Sequence, residues 1–276
     1  MDIIINGKPE AAGRMTTSEN NGRLMTVIGL DEDRIEQRLI EEGEQAVITI
    51  LVDTDSEVVI GELTGRIVKR MEEQRTVIEI HTGRGAYRIP AHNLMIDEIA
   101  ERLGSGNLQE IKVRIEIEIP EEEMARFVED AANARELALV VPPLEFTVRA
   151  IHDDQTEEIS AFQEFVERLV AIPGDVDANR ITTGVYIGPD GSFHHVPTRI
   201  VVIDGKTYAR INSLTNSVYS VIWHQAAFTD IHGHWAGDII GNLGNRLVLS
   251  GYADGSFRPD EPITRAEFAA YVVRGL

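Results

Sequence analysis

The clearest chemical signal in the sequence is an arginine beside the predicted start of a helix near the C-terminus. Residues 264–267 are Thr-Arg-Ala-Glu, a capping-box pattern in which Thr264 caps the amide of Glu267 and the Glu267 side chain reaches back. The box places Arg265 at the first helical position, beside unpaired backbone amides and the positive end of the helix dipole. A guanidinium there is a natural site for a carboxylate or a phosphate. The alternative is that Arg265 pairs with an internal acid.

Metal ligation is the next chemistry that the residue types allow. The stretch 254–260 begins like a calcium loop, but Arg258 and Pro259 stand where ligands should be, and the glutamate twelve places after the first aspartate is missing. Several histidines are close in sequence, and a His-x-His spacing could bind a metal, but no nearby pattern supplies a second pair of ligands. These histidines are His194, His195, His224, His232 and His234. We therefore predict no metal site and no cofactor.

The sequence before residue 225 contains no recognisable catalytic constellation. Acidic residues are adjacent at 121–123 and 153–154, but a glycosidase needs two carboxylates ~5 to 10 Å apart in a cleft. An acidic run on a helix face is usually solvated, and the sequence alone selects no pair. There is no serine-nucleophile elbow and no phosphate-binding loop, and 83–85 is a turn. We therefore predict that the chain is not an enzyme.

Composition limits the partners and the compartment. The chain of 276 residues has 46 acidic and 26 basic side chains and a net charge of −20, which argues against binding to nucleic acid or to anionic lipid. Cysteine is absent, which excludes disulfides, cysteine–zinc sites and cysteine nucleophiles. No apolar run approaches the ~18 residues that cross a bilayer. Residues 1–8 lack the features of a signal peptide, so an exported protein would have a leader that is absent from this chain.

Strands and short helices alternate in the first block. Residues 112–119 alternate strictly between charged and apolar side chains, which predicts a strand with one face on a core and the other in water. Residues 121–134 are typical of an acidic helix. Asp31 is predicted to cap a helix that continues to about Glu42, and a further amphipathic helix is predicted around 63–71.

A second block, 121–225, is rich in short strand patterns separated by turn signals. Asp204-Gly205 between two such patterns is a strong hairpin signal. Regular strand spacing favours a sandwich-like or α+β lobe. We predict an α+β fold with two strand-rich lobes with short helices, at 1–120 and 121–225, followed by a helix–loop–helix unit at 226–276.

The helix–loop–helix unit is predicted from apolar spacing and turn residues. In its first helix, an apolar stripe contains Trp235, Ile239, Leu243 and Leu247 at four-residue spacing, with Ile240 beside them. The loop 251–262 holds two glycines and two prolines. In the second helix, the predicted buried face consists of Phe268, Val272 and Leu276.

The segment 228–276 resembles one S-layer homology repeat, a module by which many bacterial surface proteins hold onto cell-wall polymer. The residues that carry the resemblance are Phe228, Asp230, His234, Trp235, Gly251, Tyr252, Asp254, Gly255, Phe257, Arg258, Pro259, Thr264, Arg265, Ala266, Glu267 and Phe268. Over 190–220 the chain is also similar, more loosely, to segments that precede such repeats in other surface proteins.

The resemblance implies a ligand and a set of contacts. In the family, three repeats build a spindle whose grooves bind secondary cell-wall polysaccharide, often with pyruvate ketals. The arginine of the Thr-Arg-Ala-Glu motif is associated with the anionic sugar, which makes Arg265 the implied contact. The other implied positions are Asp230, Trp235, Gly251, Tyr252, Asp254 and Gly255. The alternatives are that the aromatic residues Trp235, Tyr252, Phe257 and Phe268 are core residues, and that the two aspartates only cap or turn the chain.

The sequence departs from the family pattern in two ways. Leu247 stands where many members have a glycine, and this chain contains one repeat only. Because a groove between repeats needs more than one repeat, the resemblance implies either that more repeats follow Leu276 in the full protein or that this chain binds the wall weakly or not at all. The implied protein partners are further repeats or protomers.

Together these features predict a non-catalytic, extracellular structural protein of the S-layer type on a Gram-positive cell wall. Its repeat would contribute to binding secondary cell-wall polysaccharide. The alternative is a surface module of 1–225 that binds or processes polysaccharide, with the repeat as its anchor.

Overall fold

The strictly alternating segment near residue 115 is a strand, as its pattern predicts. In a computed structural model of the protein, which describes residues 1–275 apart from the side chain of Ala178, Lys112–Glu118 pairs antiparallel with a neighbour on each side. Val113 and Ile115 are fully buried. The opposite face is not wholly in water, because Glu116 is only 4% exposed. Its carboxylate is bonded to Thr147 and Arg149.

The elements of residues 1–275 are numbered in chain order. The strands are β1 (Ile3–Ile5), β2 (Lys8–Glu10), β3 (Gly13–Asn20), β4 (Arg23–Leu30), β5 (Val47–Leu51), β6 (Val58–Thr64), β7 (Val77–His81), β8 (Gly85–Pro90), β9 (Lys112–Glu118), β10 (Ala138–Leu139), β11 (Leu144–His152), β12 (Gln155–Glu158), β13 (Ala161–Ala171), β14 (Thr183–Ile187), β15 (Phe193–Val196), β16 (Thr198–Ile203), β17 (Lys206–Thr215) and β18 (Ser217–Trp223). The α-helices are α1 (Glu32–Glu42), α2 (Gly65–Glu73), α3 (Ile96–Arg102), α4 (Glu122–Asn133), α5 (Gly237–Asn245) and α6 (Arg265–Gly275).

The chain divides into two compact units that interleave along the sequence. Unit 1 consists of Met1–Ile119, Leu144–Val170 and Asn212–Ser217. Unit 2 consists of Pro120–Pro143, Ala171–Ile211 and the residues from Val218 onward. These units are defined by contact and do not test the consecutive boundaries near 120 and 225, which stay a prediction.

Unit 1 contains two sheets. Their strand orders are β2-β1-β5-β7-β8-β13 and β3-β4-β6-β9-β11-β12. The pairs β5–β7 and β4–β6 are parallel, and the chain between paired strands passes through α1 or α2, as parallel pairs require a long crossover. Helix α1 begins where the sequence predicts, because the Asp31 carboxylate accepts the backbone N–H of Arg34 at 3.3 Å. Ile35 and Leu39 form its buried face.

Unit 2 contains a small sheet with the order β15-β14-β18-β10 and a hairpin of β16 and β17. The predicted hairpin turn at Asp204-Gly205 is present, with both residues in the left-handed region at φ +48° and +77°. Helix α4 covers the sheet through Val128 and Ala132. The buried cluster that results contains Val128, Ala132, Leu137, Val185, Ile187, Phe193, Val218 and Ile222.

The C-terminal segment is built onto this lobe within unit 2. Leu247, just after α5, packs against the buried cluster. Asn245 makes two bonds to the chain leaving β18: its carbonyl lies 3.0 Å from His224 Nδ1, and its side-chain oxygen accepts the Ala226 N–H at 2.7 Å. The end of α5 is therefore fixed to the strand that precedes it.

The apolar stripes predicted for the two C-terminal helices are wrong at several positions. Trp235 and Ile239 are 87% and 60% exposed, whereas α5 buries Ile240, which the sequence placed beside the stripe, and Gly244, which the sequence did not select. Helix α6 has no buried residue within its described length: Phe268 is 61% exposed, and Val272 is exposed as well. Leu276, the third residue of the predicted face, lies outside the described residues.

The chain is thus mixed α and β and rich in strands. Across residues 1–275, no helix combines the length and the apolar character that a membrane crossing requires.

Candidate functional site

Asp230 joins the start of the C-terminal segment to the loop between α5 and α6. Its carboxylate accepts the backbone N–H of Phe257 at 2.8 Å and that of Arg258 at 2.7 Å. The bond from the Phe257 amide, followed by that from Arg258, lowers the pKa of Asp230 below its usual value. Thr229 adds a backbone bond to the carbonyl of Gly255 at 3.0 Å. Asp230 therefore contacts loop backbone with both carboxylate oxygens.

Asp254 forms a tight turn in the same loop. One carboxylate oxygen accepts the backbone N–H of Ser256 at 3.0 Å and the Ser256 hydroxyl at 2.6 Å. Gly255 lies in the left-handed region at φ +81°, where glycine has no steric penalty. The Ser256 hydroxyl is the largest cause that holds the pKa of Asp254 far below its usual value. Asp254 thus turns the chain, as the sequence alternative proposed.

At Gly251 the start of the loop lies close to the backbone of Ser256, later in the same loop. A Cβ at this position would be 2.6 Å from the carbonyl oxygen of Ser256 and 2.9 Å from the Phe228 ring. The Phe228 ring in turn contacts Phe257 with centroids 5.3 Å apart. Only glycine fits this approach without a shift of the backbone or of the ring.

The predicted capping box at the start of α6 is present. One oxygen of Glu267 accepts the backbone N–H of Thr264 at 2.8 Å and its hydroxyl at 2.7 Å, while the Glu267 N–H donates to the Thr264 hydroxyl at 3.1 Å. The other oxygen accepts the Tyr252 hydroxyl at 3.0 Å. The Thr264 hydroxyl, its backbone amide and Tyr252, in that order, lower the pKa of Glu267.

Arg265 is the first residue of α6, and its side chain is exposed. The Arg265 side chain forms neither a hydrogen bond nor an ion pair with any residue that the structure describes. The internal acidic partner that the sequence allowed is therefore absent from residues 1–275. The exposed guanidinium belongs to the first residue of a helix, at the positive end of the helix dipole, where an anion is favoured.

Trp235 lies apart from the other predicted positions. Its ring contacts the imidazole of His234 at 5.5 Å between centroids. Within the described part of the chain, no hydrogen bond, ion pair or ring contact joins it to the loop residues or to Arg265. Because its side chain is 87% exposed, the core interpretation is wrong for Trp235, as it is for Phe268.

Arg258 is the residue whose role the sequence did not predict. Its guanidinium donates to Asp254 at 2.9 Å and to the Ser256 hydroxyl at 3.2 Å, and lies 4.3 Å from the centre of the Tyr252 ring. It is the permanent cation of the loop. The four-residue separation of Asp254 and Arg258 is the sequence signal for such a pair, although that spacing alone predicts contact only on a helix.

Three acidic side chains of the segment accept hydrogen bonds from the segment itself. Asp230, Asp254 and Glu267 all have lowered pKa values, so they stay ionised and are poor proton donors near neutral pH. His234 contacts Asp260 at 3.3 Å. Over residues 1–275, no three histidine, aspartate or glutamate side chains converge as a metal site would require.

Comparison with known families identifies this region. Residues 227–269 match the S-layer homology domain, and this range contains all seven predicted site residues. The match confirms the resemblance on which those residues were chosen.

Three curated relatives are similar to part of the chain. An amylopullulanase of Thermoanaerobacterium thermosulfurigenes is 35% identical over 63 residues, which are 23% of this chain and 3% of the relative. An exoglucanase, XynX, of Acetivibrio thermocellus is 34% identical over 61 residues, which are 22% of this chain and 6% of the relative. Cell surface glycoprotein 1 of Acetivibrio thermocellus is 30% identical over 88 residues, which are 32% of this chain and 4% of the relative. The chain therefore spans only a small part of the length of these relatives. No solved structure matches it.

Proposed function

We propose that this chain, whose residues 227–269 match the S-layer homology domain, is a non-catalytic protein of the bacterial cell surface. Its residues 226–276 act as a helix–loop–helix repeat that helps to anchor it on secondary cell-wall polysaccharide. The observation that carries the proposal is Arg265. It is exposed, has no partner among the described residues and stands at the N-terminus of α6 within the matched domain. A polymer with carboxylate groups, such as pyruvate ketals, supplies the charge that this position favours. The cell surface glycoprotein among the relatives supports the same location.

Further repeats or protomers are part of the proposal. Several large apolar side chains of the segment have no cover within residues 1–275, including Val273, which is 73% exposed. Apolar side chains gathered at this density on one small segment are typical of a surface that another element covers. The exposed apolar side chains are Trp235, Ile239, Ile263, Phe268, Val272 and Val273.

The test is co-sedimentation with Gram-positive sacculi that retain their wall polymer. The samples are this chain and the chain joined to two further S-layer homology repeats, each as wild type and as Arg265→Ala. We expect the extended chain to bind and Arg265→Ala to lose roughly tenfold to a hundredfold in affinity, the range for a charge-assisted hydrogen bond. Arg274→Ala, at the other end of α6, is the matched control and should bind like wild type.

Two outcomes would contradict anchoring through Arg265. One is equal binding to sacculi from which the polymer has been removed. The other is unchanged affinity in Arg265→Ala while Arg274→Ala binds normally.

A second candidate function is a polysaccharide-processing module in unit 1 with the repeat as its anchor. The observation that favours it is a group of glutamates on one face of a sheet. Glu118 and Glu145 are directly opposite across β9 and β11, and burial raises the pKa values of Glu116 and Glu145. Against it, Arg149 lies among these carboxylates and binds Glu116. Release of reducing sugar from wall polysaccharide by wild type, abolished in Glu145→Gln, would favour this candidate over the first.

A further inference from the structure

The sequence Asp-Gly-Ser-Phe occurs twice in unit 2, and both copies fold into the same turn. The first copy is 190–193, between β14 and β15, and the second is 254–257, in the loop of the matched domain. In the first, the Asp190 carboxylate accepts the N–H of Ser192 at 2.9 Å and its hydroxyl at 2.5 Å. The corresponding distances at Asp254 and Ser256 are 3.0 and 2.6 Å.

The backbone bonds around the two turns also correspond. Gly188 N–H donates to the Ser192 carbonyl at 2.8 Å, and Gly191 N–H donates back to Gly188 at 2.9 Å. In the second copy, Tyr252 takes the place of Gly188, with distances of 2.8 and 3.0 Å. Both central glycines are left-handed, at φ +74° and +81°.

Each turn is followed by a nitrogen-containing side chain that lies over a tyrosine. His194 Nε2 is 2.6 Å from the Ser192 hydroxyl, and its ring stacks on Tyr186 at 4.6 Å. Arg258, two residues after Ser256, likewise bonds its serine and covers a tyrosine, Tyr252, which stands two residues later relative to its turn than Tyr186 does. Since the first copy leads only into strand β15, the turn and its stack form a structural unit that does not require a ligand.

The two copies differ in where the tyrosine stands and in what its hydroxyl reaches: Tyr186 lies two residues before Gly188, whereas Tyr252 takes the place of Gly188. The Tyr252 hydroxyl donates to one oxygen of Glu267, whose other oxygen caps Thr264, the residue before Arg265. The first copy is followed by strand β15 and not by a helix, so it has no helix cap for a tyrosine hydroxyl to reach. Hydrogen bonds therefore connect Tyr252 in the turn to Glu267, and Glu267 to Thr264, the residue next to Arg265.

We propose that Tyr252, held beneath Arg258, is a positioning residue that fixes the first turn of α6 and so orients Arg265 toward an anionic group of the wall polymer. This inference rests on the proposed function. The physical reason is that Glu267 is held by donors from Thr264 on one oxygen and by Tyr252 on the other. Loss of the Tyr252 donor lets the carboxylate rotate, and the first helical turn then frays more readily. Asp254, Gly255 and Arg258 act on binding by holding Tyr252 in place.

The test is a double-mutant cycle between Tyr252→Phe and Arg265→Ala in the chain joined to two further repeats. The measured quantity is affinity for sacculi that retain wall polymer, with thermal unfolding recorded for every variant. We expect Tyr252→Phe to weaken binding several-fold in the wild-type background and to have no further effect with Arg265→Ala, because coupled residues are not additive. Any change in unfolding temperature should be the same in both backgrounds.

Tyr186→Phe is the control, since it alters the tyrosine that stacks on His194 beside the first turn, at a position two residues before the one that Tyr252 occupies in the second. It should bind like wild type. Amide hydrogen exchange at Glu267 and Phe268 gives a second measurement that needs no ligand: we expect faster exchange in Tyr252→Phe and unchanged exchange in Tyr186→Phe.

The outcomes separate this inference from the proposed function. If Arg265→Ala binds like wild type, the proposed function fails, and the positioning role fails with it. If Arg265→Ala loses binding but Tyr252→Phe loses none, or loses the same factor in both backgrounds, only the positioning role is overturned. Slow exchange at Glu267 and Phe268 in Tyr252→Phe would overturn it as well.

Discussion

His195 is a residue whose protonation the folded chain opposes. It lies on β15, and its Nδ1 is 2.7 Å from the hydroxyl of Thr183. Burial, followed by the nearby charge of Arg246, lowers the pKa of His195 to about 4. An imidazole with an unperturbed pKa near 6.5 is therefore neutral in the fold over a range in which the unfolded chain binds a proton.

The shift at His195 predicts a loss of stability on acidification. Above pH ~6.5 His195 is neutral in both the folded and the unfolded state, so it has no effect on the free energy of unfolding. As the pH falls from there to about 4, the unfolded state binds a proton that the folded state does not. The free energy of unfolding therefore decreases. Thermal unfolding between pH 8 and pH 4 should show a smaller decline in His195→Gln than in wild type.

The control for that series is His92→Gln, which removes an exposed imidazole from unit 1. It should follow the wild-type curve more closely than His195→Gln does. Parallel curves for wild type and His195→Gln would show that carboxylates alone produce the acid dependence.

At the scale of elements, the loop between the C-terminal helices depends on one close approach. Gly251→Ala places a methyl group 2.6 Å from a backbone carbonyl oxygen and 2.9 Å from the Phe228 ring. Such overpacking costs about 1–3 kcal/mol of stability. We expect a lower unfolding temperature, measured by thermal unfolding against wild type.

Gly241→Ala is the matched control for the loop. It adds the same methyl group inside α5, where the nearest atom is the Ile231 Cδ1 at an ordinary 3.8 Å. Because alanine is a better helix former than glycine, this change should stabilise by up to about 1 kcal/mol. Equal effects of the two substitutions would contradict the close approach at Gly251.

Elements with strong local signals were predictable from the sequence. The cap at Asp31, the alternation of β9 and the Asp204-Gly205 hairpin each depend on neighbouring residues only, and each is present. Strand β3 was not predicted. All but its first residue are exposed, so it lacks the alternation of buried and exposed side chains that marks a half-buried strand.

The wrong stripe of α5 has a different cause. Its buried positions are Ile240 and Gly244, followed after the helix by Val248. A Cβ on Gly244 would be 2.6 Å from the Phe228 ring. This face of α5 can therefore pack against the ring because Gly244 has no side chain. Hydrophobic periodicity assigns no weight to glycine, and it selected Trp235 and Ile239 instead.

The candidate site was predictable only where its contacts join residues that are close in sequence. The capping box lies within four residues, and the sequence alone placed Arg265 beside it. The contact of Tyr252 with Glu267 joins residues fifteen apart, and its geometry depends on the loop turn and on Arg258. No local pattern predicts that contact.

For the molecule as a whole, charge is distributed unevenly between the units. Of the 46 acidic and 26 basic side chains, 30 and 16 belong to unit 1, and 16 and 10 belong to unit 2. The unit that carries the matched domain is therefore the less acidic one, although it is still negative. If the proposed anionic polymer is the ligand, its approach is opposed at long range by the net charge, and the attraction to the Arg265 guanidinium acts at short range.

This distribution predicts an unusual response to salt. The Debye length falls from about 30 Å at 0.01 M to about 8 Å at 0.15 M salt, so long-range repulsion is screened while a direct contact at Arg265 is screened less. The association rate of the extended chain with solubilised anionic wall polymer should therefore rise several-fold over this range, opposite to a basic polymer-binding protein. Biolayer interferometry at graded salt measures it. Arg265→Ala should keep the salt dependence of the association rate and dissociate faster, because the substitution removes the short-range contact and changes little of the net charge. An association rate that falls with salt would mean that a local positive surface, and not the net charge, steers the encounter.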